Sequence, residues 1–216
     1  TQDISNPSAN NDIKIYRFLS LGDSYTVGQS VCETCRFPEQ LKDSLKGRFV
    51  LNHVVSLDVI ASTGWTTTNL IDAIANENPS SNYDIVTLLI GVNNQYQGKP
   101  FSLYEEEFPH LVNQAIGFAQ GNKDNVIVIS IPDYAFTPFG QGSSNSQNIS
   151  SEIDAYNAYA QNYCEQNSIQ FVNITDITRN GLTNPELVAS DGLHPSELAY
   201  AKFVERILPL ALEIIQ

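Results

Sequence analysis

The stretch FLSLGDSYTVG, from Phe18 to Gly28, carries a short apolar run into a Gly-Asp-Ser turn and out through what reads as the first turn of a helix. Ser24 has two uses there: it caps the helix, or its hydroxyl is held out to attack an electrophile. Attack on an ester needs three further things. An imidazole must take the hydroxyl proton, an acid must hold the imidazole tautomer, and hydrogen-bond donors must face the oxygen that becomes negative. Of the three histidines, His53 lies in an apolar, β-branched stretch and reads as structural. His110 follows Pro109 in a helical stretch and reads as a surface or packing residue. His194 closes Asp191-Gly-Leu-His-Pro, a spacing that lets the chain fold back so that the carboxylate receives the ring Nδ1 proton and Nε2 stays open. The same spacing also serves an acidic turn in which Asp191 caps backbone amides and His194 merely begins a helix. For the donors, Gly64 lets its amide approach a reacting centre, Asn93 or Asn94 offers a side-chain amide, and the Ser24 amide sits at a helix start. Each of these, taken singly, is equally an ordinary turn or cap.

These residues need elements to bring them together, and the hydrophobic pattern supplies them. Ile15–Leu21, Val50–Ala61, Tyr83–Ile90, Asn125–Ile131 and Gln170–Ile174 read as strands, the third and fourth nearly continuous in apolar residues, as strands covered on both faces are. Between and after them, helices are predicted at Gln40–Lys46 behind a break at Pro38, Thr66–Asn76, Leu103–Phe118, Ser151–Gln166 after a polar loop from Gly140 to Asn148, and Pro195–Ile214. Strands alternating with helices argue for a mostly parallel sheet covered on both faces, an α/β fold. In such sheets ligands bind beyond the carboxyl ends of the strands. Gly22-Asp-Ser, Ser62-Thr-Gly-Trp, Gly91-Val-Asn-Asn and Pro132-Asp-Tyr all follow predicted strands.

Gly22-Asp-Ser-Tyr, Gly64 within Ser-Thr-Gly-Trp-Thr, Gly91-Val-Asn-Asn and Asp191-Gly-Leu-His-Pro resemble, in order, the four blocks of the SGNH hydrolases, also called the GDSL lipase and esterase family. The resemblance spans positions 22 to 194. It implies Ser24 as nucleophile, His194 as general base and then acid, Asp191 as orienting acid, and the Ser24 amide, the Gly64 amide and the Asn93 side chain as oxyanion donors. It also implies a three-layer, flavodoxin-like α/β/α sandwich on a five-stranded parallel sheet, with no metal and no organic cofactor. Tyr25 stands where leucine follows Gly-Asp-Ser in the family name, a departure that touches packing or specificity more than chemistry. Tyr25, Trp65, Tyr96, Tyr134 and Phe136 are candidates for lining a substrate cleft, and each also has an ordinary packing reading.

The 216 residues suit one domain at 13–216 behind a polar leader at 1–12, with 42% of the chain in the hydrophobic set. The formal charge of −13 disfavours nucleic acid and anionic membrane as partners, and serves solubility as well. No apolar run approaches the roughly 20 residues needed to span a bilayer. The sequence starts at Thr1 and contains no methionine, which fits a removed N-terminal signal or a trimmed start. Cys32 and Cys35 form a Cys-Glu-Thr-Cys pair without the second pair that structural zinc needs. A local disulfide in a secreted or periplasmic protein and a redox pair both fit. Cys164 reads as a buried small residue in a helix.

The expected function is a serine esterase acting on a small-molecule ester, favouring short acyl groups on small neutral or carbohydrate alcohols. A lysophospholipase or thioesterase of the same family, or a noncatalytic carbohydrate-binding module on this fold, are the alternatives. A flavin module built on Ser62-Thr-Gly-Trp-Thr-Thr has its phosphate loop after the wrong strand and leaves Asp191 and His194 unused. The sequence has no Gly-x-Ser-x-Gly elbow, which argues against an α/β-hydrolase.

Overall fold

The computed structural model describes residues 13–48, 53–143 and 145–215. The expected leader at 1–12 and the start of the second predicted strand, at 50–52, lie outside the described residues. In chain order the elements are β1 (Ile15–Gly22), α1 (Ser24–Val27), α2 (Phe37–Lys46), β2 (Val54–Ala61), α3 (Thr67–Glu77), β3 (Ile85–Leu89), α4 (Val92–Tyr96), α5 (Phe101–Phe118), β4 (Val126–Ile129), α6 (Pro138–Gln141), α7 (Ser146–Asn167), β5 (Gln170–Val172), α8 (Thr175–Thr178) and α9 (Glu197–Ile215).

Among the described residues five strands form one parallel sheet in the order β2-β1-β3-β4-β5. Every residue of β3 and β4 is buried, which is why both read as unbroken apolar runs. Helices α2 and α9 pack on each other over one face, while α3, α5 and α7 follow one another over the opposite one, giving the three-layer, flavodoxin-like α/β/α sandwich. Tyr104 meets Phe108 along α5 and Tyr156 across on α7, with ring centroids 5.1 and 4.6 Å apart, contacts worth about 0.5–1.5 kcal/mol each beyond area burial. The strand order reverses direction between β1 and β3, and a crevice opens at such a switch point beyond the strands' carboxyl ends. The chain segments leaving those two strands are Gly22-Asp-Ser and Gly91-Val-Asn-Asn.

Several boundaries differ from the sequence expectation for local reasons. Pro38 does not break a helix; it occupies the first turn of α2, where its missing N–H costs nothing. The polar loop expected at 140–148 is shorter, because α6 covers its start and α7 begins at Ser146. Pro195 pairs with Val188 in an isolated bridge, so α9 starts two residues later than expected. Helix α3 starts as its threonines predicted, with Thr66 and Asn69 forming a reciprocal capping box.

Candidate active site

Gly22 ends β1 where a side chain has no room: a Cβ would collide with the Leu89 carbonyl at the end of β3 and with Thr26. The tight passage lets the chain turn at once into α1. Asp23 caps that helix, its carboxylate accepting from the Tyr25 amide at 3.0 Å, and Ser24 is the first helical residue. Asp23 is fully buried, and its second oxygen makes no hydrogen bond among the described residues. Burial pushes its carboxyl up from an ordinary 3.8 to about 7, against the Tyr25 amide that favours the charged form.

The turn before α9 supplies the partners. His194 Nδ1 lies 2.6 Å from Asp191 Oδ2, and His194 Nε2 lies 3.0 Å from Ser24 Oγ. Burial raises the Asp191 carboxyl, but hydrogen bonds from Ser30, the His194 ring and the His194 and Leu193 amides outweigh it and hold the group well below the usual carboxylate range. An ionised carboxylate only accepts, so Nδ1 carries the ring proton and Nε2 is the acceptor for the Ser24 hydroxyl. The amides of Leu193 and His194 donate to Asp191 Oδ1 at 2.9 and 3.0 Å. Asp191 therefore both caps its turn and holds the imidazole, while His194 does not begin the helix, since α9 starts only at Glu197. Ser24 and His194 are buried, and the Tyr25 ring stands 5.5 Å from the imidazole, centroid to centroid.

Ser24, Gly64, Asn93 and His194 line one cavity of about 230 Å³. Gly64 has a φ of +82°, which turns the backbone in a way a side chain resists, and its carbonyl is fixed by the Gln97 side chain at 2.8 Å. Neither the Ser24 nor the Gly64 amide donates to a protein acceptor among the described residues. Asn93, on α4, spends one side-chain hydrogen on the Trp65 carbonyl at 3.0 Å, which orients the amide and leaves its second hydrogen. Asn94 is committed elsewhere: its side chain holds the Thr67 amide and hydroxyl at 2.9 and 2.6 Å, tying α4 to α3.

The aromatic candidates divide. Tyr25, Tyr96 and Tyr134 line the cavity, together with Thr63, Val92, Phe139 and Leu193. Trp65 and Phe136 do not; both are partly buried against the core, with Arg179 over the Phe136 ring. Thr63, Val92 and Leu193 sit beside or inside the motif blocks, so adjacency to a block was the signal available for them. Asp133, the acid after β4, is buried and bonded to Arg179 Nε, Ser150 Oγ and the Ala135 amide at 2.9, 2.6 and 3.0 Å. It fastens the segment that carries Tyr134 and Phe139. The other histidines stay out of the cavity, as expected: His53 accepts from the Lys14 amide and meets the Tyr16 ring edge-on, and His110 is exposed on α5. Cys32 and Cys35 are joined in a disulfide; Cys164 is buried in α7, and burial pushes its thiol up to about 12.

A sheet of this order, with a hydroxyl, an imidazole and a carboxylate in relay at its carboxyl edge, is the architecture of a serine hydrolase. The sequence matches the GDSL-like lipase/acylhydrolase family over residues 20–202. The chain belongs to that family and is a carboxylic ester hydrolase of the GDSL or SGNH type. Solved structures share the fold at low identity. A member of the lipolytic G-D-S-L family from Veillonella parvula is 19% identical with a TM-score of 0.66, covering 92% of this chain and 97% of its own. A psychrotrophic esterase from Pseudoalteromonas, inhibited by monoethylphosphonate, is 14% identical with a TM-score of 0.62, covering 92% and 98%. A variant of an acetyl xylan esterase from Geobacillus stearothermophilus is 14% identical with a TM-score of 0.61, covering 93% and 96%. No curated protein matches the sequence.

Proposed function

We propose that this protein hydrolyses esters of short acyl groups on small neutral or carbohydrate alcohols, with Ser24 as nucleophile, His194 as general base and acid, and Asp191 as orienting carboxylate. The observation that carries the reading is the relay from Asp191 Oδ2 through the imidazole to Ser24 Oγ, opening into a cavity shared with Gly64 and Asn93. Ser24 Oγ attacks the acyl carbon as its proton passes to His194 Nε2, and the carbonyl oxygen becomes an oxyanion facing the amides of Ser24 and Gly64 and the Asn93 side chain. Collapse breaks the bond to the alcohol oxygen, which leaves with the proton from His194. Water then attacks the acyl-Ser24 ester, giving its proton to His194, and the second collapse releases the carboxylic acid and returns that proton to Ser24.

Size and lining support the substrate class. About 230 Å³ lies below the usual range for drug-sized ligands and suits a small acyl group. Past Tyr96, Tyr134 and Phe139 the surface continues into an open cleft of about 660 Å³ that adds Pro138, Gly140, Gly142, Ser143, Asn145 and Ile149. Tyr96 and Phe139 are 57% and 45% exposed with their rings 6.2 Å apart, an aromatic rim with the Ser143 and Asn145 side chains beyond it among apolar neighbours. That combination suits the apolar faces and hydroxyls of a sugar ring better than a long acyl chain. Among the described residues no lysine or arginine lines either space. The Cys32–Cys35 disulfide supports a secreted or periplasmic setting. Among the described residues no helix is long and apolar enough to cross a membrane.

An ester panel of graded acyl length, with acetylated sugars included, tests the reading on the wild type and on Ser24→Ala. The variant is expected to lose at least about a thousandfold in kcat. Full turnover by Ser24→Ala removes Ser24 as nucleophile, whereas activity confined to long acyl chains removes the substrate class and leaves the relay.

A further inference from the structure

The Asp191 carboxylate has four acceptor positions, and four donors fill them. The Leu193 and His194 amides take Oδ1, the His194 ring takes one side of Oδ2, and the Ser30 hydroxyl takes the other at 2.6 Å. Three of those donors belong to the same short turn as Asp191 and move with it. Ser30 alone reaches the carboxylate from another part of the chain. We propose that Ser30 is a positioning residue for the reaction, fixing the imidazole through Asp191 and registering the acid turn against the nucleophile's own loop.

The loop carrying Ser30 is built for that purpose. The Gly28 and Gln29 amides both donate to the Ser24 carbonyl, at 3.1 and 3.0 Å, so the loop starts from the nucleophile itself. The Gln29 side chain accepts from the Thr63 hydroxyl at 2.7 Å, beside Gly64. One segment of three residues thereby touches all three parts of the apparatus: the nucleophile, the acid and the loop that offers an oxyanion donor. Ser30 pays a conformational cost to do this, with a φ of +68° that disfavours any residue bearing a Cβ. A glycine would relieve that strain but would lack the hydroxyl that reaches Asp191.

The proposal rests on Ser24, His194 and Asp191 acting as described above, and two substitutions separate it from a purely structural role. Ser30→Gly removes the hydroxyl and relieves the backbone. Ser30→Thr keeps the hydroxyl and adds β-branching at a positive φ. For Ser30→Gly the expected result is a Tm at or above wild type, kcat lower by about tenfold and KM within about twofold, since a hydrogen bond to a charged group is lost from a site that still binds substrate. For Ser30→Thr, Tm falls while kcat stays within about threefold of wild type. Stability and turnover thus move in opposite directions across the pair. Wild-type kcat in Ser30→Gly, or equal loss of kcat in both variants, overturns the proposal. Ser24→Ala assayed alongside distinguishes the failures: full turnover there sinks the relay itself, and an inactive Ser24→Ala beside an unaffected Ser30→Gly sinks only the role of Ser30.

Discussion

At the residue scale, the carboxylates flanking the nucleophile face opposite fates although both sit in turns next to a helix. Asp191 has four donors and stays ionised; Asp23 has one amide on one oxygen, no exposure, and a carboxyl pushed up to about 7. In the unfolded chain Asp23 ionises near 3.8, so between about pH 4 and about pH 7 the native state holds a proton that the unfolded state has lost. Its contribution to stability is complete below pH 4 and declines as pH rises through that window, by something of order 4 kcal/mol at the upper end. Asp23→Asn removes the titration and keeps the shape. Measured against wild type, the variant's Tm is expected to improve from pH 4.5 to about pH 7 and to level off above it, whatever constant cost the amide adds. A gap that stays flat with pH refutes a neutral Asp23. The sequence made Ser24, Asp191 and His194 readable because their chemistry demands residue types and an order that few positions meet. It did not make Trp65 and Phe136 readable, since an aromatic beside a motif points into the cleft or the core according to a backbone turn that composition does not encode. Ser30 left no signal at all, because its partner is set by tertiary contact alone.

At the element scale, the segment between α1 and α2 carries the loop discussed above and then the Cys32–Cys35 bridge, which closes a ring of few residues. In the chain-entropy account so small a ring contributes about 2 kcal/mol. The double substitution Cys32→Ser, Cys35→Ser, or reduction of the wild type, is therefore expected to lower Tm by about 4–8 °C for a chain of this size. Calorimetry with and without reductant measures it, and an unchanged Tm means the bridge adds nothing to native stability. Element type was legible wherever period or buried apolar runs were strong, as in β3, β4 and α5. Element ends were not, because α2, α6 and α7 start where a proline or a short polar turn fits a helix's first turn, a decision made by packing beyond the local sequence.

At the scale of the whole molecule, alternation of strand and helix gave the parallel sheet, but not which strands lie side by side. That β1 neighbours β3 follows from the chain crossing to opposite faces, and this adjacency brings the Ser24 and Asn93 segments to one crevice. The charge of −13 acts over the same surface, and among the described residues the cavity and its cleft hold no lysine or arginine to reverse it locally. An ester whose alcohol carries a negative charge must approach against that field, while a neutral ester of equal size does not. The field reaches about 30 Å in 10 mM salt and about 8 Å at physiological ionic strength. Raising salt over that interval is thus expected to increase kcat/KM for the anionic ester several-fold and to leave the neutral ester within about twofold. Matched acetyl esters of a neutral and a sulfonated phenol, assayed across that salt series, measure the effect. An anionic ester turned over as fast as the neutral one at the lowest salt means that the local potential at the cavity mouth differs from what the overall charge dictates, and that anionic alcohols belong among the substrates.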